Sequence, residues 1–116
     1  MDAGPGDKMN ATNTETSRQF NALAPAAVKV AGKTYKRKGG VYDDAANCVR
    51  FDFVGRKQRG AFIADKVVVA VTYQHGADLY DVVITKCDGA TFENADLANI
   101  DGVEFSAFRD FPTWIN

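Results

Sequence analysis

The spacing of apolar residues changes period several times along the chain, and each change marks an element. Phe20, Leu23 and Ala24 share one face at helical spacing. Thr12 stands three positions before Glu15, the arrangement of a capping box that satisfies free amides in a first helical turn. Pro25 disfavours helical backbone just before it, so the pattern predicts a short helix over residues 13–23. From Val28 the period falls to two. Val28–Val30 and Lys33–Lys36 flank Ala31-Gly32 and read as a hairpin, which Gly39-Gly40 is expected to break. Between Cys48 and Val54 the alternation is clean, with Val49, Phe51 and Phe53 on the face expected to meet the core.

Gly55–Gly60 is a basic loop leading to Ala61-Phe62-Ile63. Val67–Gln74 is β-branched and apolar on both faces, as suits a central strand covered on both sides. His75–Asp78 supplies a turn, and Leu79–Cys87 returns as its partner strand. Asp88-Gly89 turns again, with a short strand expected at Ala90–Glu93. Phe105, Phe108, Phe111 and Trp114 then stand three positions apart, which fits a turn or two of helix stopped by Pro112. The sum is an α+β fold: an antiparallel sheet of five or six strands, with a short N-terminal helix and a short C-terminal helix packed on it. Residues 1–12 hold almost no large apolar side chains and read as a flexible N-terminal arm, leaving 13–116 as a single domain.

Composition narrows the setting. The longest apolar run, Val67–Val71, is far too short to span a bilayer, and the first residues lack the apolar stretch of a secretory signal. The expectation is a soluble cytoplasmic protein with no membrane partner, or one of host cytoplasm or virion if the source is viral. Cys48 and Cys87 lie 39 residues apart and are expected to be reduced, small apolar groups.

Little in the chain points to chemistry. One histidine and two distant cysteines cannot supply a structural zinc site. Asn99, Asp101 and Gly102 echo a calcium loop, but its first and twelfth positions would be Leu97 and Phe108, which cannot ligate. Gly32-Lys33-Thr34 resembles the end of a phosphate-binding loop, yet the first glycine is missing and no helix is predicted to follow. Neither Ser17 nor Ser106 has the surroundings of a nucleophile, and His75 sits beside Gly76 in a predicted turn. No catalytic residue, metal or cofactor is therefore expected, and the chain reads as a non-enzyme, with an enzyme whose dispersed site leaves no motif as the most distant alternative.

Charge changes the picture most. A net charge of −1 hides nine basic against three acidic residues over 29–60, and three basic against nine acidic over 61–116. Complementary halves suit a protein-interaction or assembly module, a small accessory or structural protein of the kind viruses encode. Its partner would be another protein or a second copy of itself, met through opposite charge and the terminal segments. Phe108, Phe111 and Trp114 are the candidate interface anchors, although a helix packed on the sheet would bury the first two. The alternative is a binder of single-stranded RNA or DNA. It would use Lys36, Arg37 and Lys38 with Arg56, Lys57 and Arg59 to follow phosphates, against which stands a pI near 5.7.

Overall fold

The computed structural model describes residues 11–43 and 46–115. Helix α1 (Ala11–Leu23) precedes six strands: β1 (Ala27–Val30), β2 (Lys33–Asp43), β3 (Cys48–Lys57), β4 (Ala64–Gln74), β5 (Leu79–Cys87) and β6 (Asn94–Val103). A 3-10 helix (Phe105–Trp114) follows. The strands form one curled antiparallel sheet in the order β1-β2-β3-β4-β5-β6. Each strand thus pairs only with its neighbours along the chain. The α+β architecture predicted from the residue pattern is the one observed.

Both helices lie on one face of the sheet. That face carries Tyr35, Val49, Phe51, Phe53, Val67, Val69, Val71, Val82 and Ile84, all essentially inaccessible to water. Phe20 of α1 inserts at its centre, stacked on Phe51 with ring centroids 4.1 Å apart. Phe108 and Phe111 of the 3-10 helix meet the same ring at 5.5 and 5.6 Å. Aromatic rings tilted and offset in this way gain attraction beyond the area they bury.

Four local expectations are corrected. Helix α1 starts at Ala11, so Thr12 is inside it and the predicted capping box does not form: Glu15 instead takes Arg18 and the Gln19 amide. The arm expected over 1–12 otherwise lies outside the described residues. Strand β2 runs through Gly39-Gly40, where a bulge between Arg37 and Gly39 absorbs the irregularity. β6 occupies 94–103, while the strand expected at Ala90–Glu93 is a turn. Two register shifts against β5 reset its alternation, so no period-two pattern is left to read.

The fourth correction is the C-terminal helix. Its aromatic residues repeat every three positions because the helix is 3-10, with three residues per turn, and Pro112 lies inside it rather than ending it. The cysteines are free. Cys48 pairs with Thr72 and Cys87 with Lys66, six residues apart on β4, or about 20 Å. No helix among the described residues is long and apolar enough to cross a membrane.

Candidate functional site

In a meander the turns after odd-numbered strands collect at one end of the sheet. Here they are Ala31-Gly32, the segment 58–63 and the segment 88–93. Gly60, at φ +80°, makes the tight turn in which the Ala61 amide donates to the Gln58 carbonyl at 3.0 Å. Gly89 lets the second and third turns touch: a Cβ there would lie 2.2 Å from the Ile63 carbonyl oxygen.

A polar clamp fixes this contact. The buried Asp65 carboxylate accepts the Gly89 amide at 2.7 Å and the Gln58 side-chain amide at 2.8 Å. Gln58 also donates to Asp88 at 3.1 Å. Asp88 in turn accepts the amides of Ala90 and Thr91 at 2.8 and 3.0 Å. The Gly89 amide, followed by the Gln58 amide, holds the Asp65 carboxyl below its ordinary range. The Thr91 and Ala90 amides do the same for Asp88. Hydrogen bonds to the ionised form outweigh the effect of burial at both.

Beside the clamp, the first turn and the end of β3 enclose an open cavity of about 660 Å³. Lys33 and Thr34 line one side, Arg56, Lys57 and Arg59 the other, and the nearly inaccessible Asp65 reaches it from below. The Tyr35 ring packs on Gly55, where a Cβ would come within 2.5 Å of it. Its hydroxyl is buried without a hydrogen-bond partner among the described residues. Burial, then the Asp65 and Asp88 carboxylates, raise the pKa of that hydroxyl. At the same end of the sheet Phe62 is 88% exposed, Phe92 61% and Ile63 40%.

The six basic residues singled out from the sequence divide. Arg56, Lys57 and Arg59 converge on the cavity and are joined there by Lys33. Lys36 and Lys38 are exposed but do not line it, Lys36 standing opposite Val54 on β3. Arg37 serves the fold: its guanidinium donates to the carbonyls of Ala24 and Pro25 at 3.3 Å and of Asn21 at 3.5 Å, and lies over the Phe20 ring. Of the three interface candidates, Phe108 and Phe111 are fully buried in the core and unavailable to a partner, while Trp114 is half-buried against it.

Lys33, Phe62 and Phe92 were not among the candidates. An exposed Phe and a core Phe look alike in a sequence, and Lys33, set aside with Gly32 and Thr34 as an incomplete phosphate-binding loop, gains a place in the site only when the fold brings it to Arg56. His75 is exposed, bonded to Asn47 at 2.8 Å, in a turn at the other end of the sheet. Among the described residues no group of three or more His, Cys, Asp or Glu side chains could hold a metal ion.

The meander also settles where the charge goes. Strand order equals chain order, so the basic strands form the β1–β3 side and the acidic residues of the strands lie toward β6, while Asp65 and Asp88 stand beside the basic cavity and Glu104 and Asp110 beyond the sheet. Exposed Lys29 and Lys36 stand on the first two strands, exposed Asp96 and Asp101 on the last. Neither a family model, nor a curated protein, nor a solved structure matches this chain.

Proposed function

We propose that this protein is a non-enzymatic assembly module, in which the basic β1–β2 edge of one copy meets the acidic β6 edge of the next. The observation that carries this reading is the order of charge across one sheet: exposed Lys29 on the edge strand β1 and Lys36 on its neighbour β2 at one side, exposed Asp96 and Asp101 on the edge strand β6 at the other. Opposite potentials speed encounter and fix orientation, and a contact between two different surfaces repeats head-to-tail into rings or filaments. The two register shifts in β6 and Gly102 at φ +73° interrupt the edge as a template for continuous strand addition. Side-chain charge, rather than a backbone ladder, therefore selects the partner.

Charge swapping tests this by analytical ultracentrifugation at about 50 mM salt, where exposed charges are weakly screened. Wild type is expected to sediment as a concentration-dependent assembly that dissociates as salt is raised. Lys29→Glu/Lys36→Glu and Asp96→Lys/Asp101→Lys are each expected to be monomeric alone. Mixed, the two variants are expected to form a one-to-one complex, because each retains one native edge and the altered edges match. A monomeric wild type at high concentration and low salt, with no complex in the mixture, would overturn the reading.

A further inference from the structure

We infer that the cavity between the first turn and the end of β3 is a phosphate-binding groove for single-stranded nucleic acid, with Phe62 as the surface on which a base stacks. This site shares the start of β2 with the proposed edge contact, but its cations are Lys33, Arg56, Lys57 and Arg59 rather than Lys29 and Lys36. Lys33, Arg56, Lys57 and Arg59 line an open cavity of about 660 Å³, large enough for a phosphate with its sugar; the one carboxylate on its wall, Asp65, is engaged by the Gly89 and Gln58 amides, which leaves four cations facing a ligand. Arg56, Lys57 and Arg59 follow one another along a single segment. Successive cations on one segment suit the successive charges of a backbone better than they suit one small anion. Thr34 adds a hydroxyl donor to the same wall.

Phe62 gives the second half of the argument. It lies three residues beyond Arg59 and is 88% exposed, although large apolar side chains are seldom left so open to water. Its loop runs from Gln58 to Asp65, and the clamp ties those two ends together, so the ring stands on a loop held at both ends. Phe62 is not on the cavity wall but on the loop that continues from it, and a basic groove leading to an exposed aromatic ring is the recurring arrangement for unpaired strands, because every base has a face that can stack.

The charge division explains why a chain with pI near 5.7 can do this and why the ligand is a strand rather than a membrane. A strand can run along the basic β1–β3 side alone. A bilayer plane laid against the same end would also meet Asp88 and Glu93 on the neighbouring turn. Anionic lipid would be repelled there.

The test is fluorescence anisotropy with a labelled mixed-sequence oligonucleotide of about 12 nucleotides, at about 50 and 200 mM salt. With three to four phosphates neutralised, affinity is expected to fall about 20- to 50-fold between the two conditions. Arg56→Ala/Lys57→Ala/Arg59→Ala should flatten that dependence. Phe62→Ala should weaken binding at least about fivefold at either salt. Lys36→Ala/Lys38→Ala should bind as wild type does, and a duplex of the same sequence should bind more weakly than the single strand.

All the substituted side chains are exposed, and unchanged circular-dichroism melts would show that the variants are folded. Three outcomes would overturn the inference: no binding at 50 mM, equal loss in the Lys36/Lys38 variant, or an unaffected Phe62→Ala. Binding to vesicles containing about 30% phosphatidylserine but not to the oligonucleotide would reassign the groove to membranes.

Discussion

Asp65 is the one buried charged residue among the described residues, and its hydrogen-bond partners are neutral amides rather than a cation. Its folded pKa lies below the ordinary carboxylate value. The group therefore adds stability above about pH 4, which is lost as pH falls through the folded pKa. Asp65→Asn keeps the shape and removes the titration. The melting temperature of this variant is expected to lie below that of wild type at pH 7, and the gap to close as pH drops below about 4. A gap that stayed constant with pH would mean that the negative charge contributes nothing to the clamp. At this scale the sequence was informative about the core and silent about the site. Alternation assigned Phe51 and Phe53 to the inner face, where they lie. Nothing around Asp65 marks it as buried, because its partners Gln58 and Gly89 come from two other turns that only the fold brings together.

Among the elements, α1 is met at its C-terminal end by one side chain from β2. A helix leaves its last carbonyls unpaired and carries negative potential there. The Arg37 guanidinium answers both needs, donating to Asn21, Ala24 and Pro25 from β2. Arg37→Met retains much of the apolar stem but not the donors, and is expected to cost about 1–2 kcal/mol in chemical denaturation. Oligonucleotide affinity should be unchanged, since Arg37 faces the helix and not the groove. Legibility of the elements followed their regularity. β1, β3 and β5 keep an alternation over most of their length and were readable from it; β4 was readable as an apolar β-branched run, although only one of its faces is buried, where cover on both was expected. β6 loses phase at two bulges, and its exposed positions leave too few apolar residues to restore it. The aromatic repeat of the 3-10 helix is visible as a turn or two of helix, but a spacing of three does not by itself separate a 3-10 from an α-helical face.

For the molecule as a whole, a net charge of −1 understates how it meets charged surfaces. With opposite signs on opposite sides of the sheet, the protein is expected to be retained by both cation- and anion-exchange resins at pH 7 and low salt, and released from each as salt rises. Passage through both without retention would mean that the two sides do not act as separate patches. Even so, the division was countable in the sequence; its meaning was not, because it hinges on strand order. The same simple order governs the chain as it is made. Six strands can zip together in the sequence in which they leave the ribosome, each against the one before it, yet Phe20 and Phe51 wait for Phe108 and Phe111, which are synthesised after the last strand. Until then the growing polypeptide holds an open aromatic face toward the solvent. That interval is when it is most vulnerable to aggregation, and when a chaperone would have the most to bind.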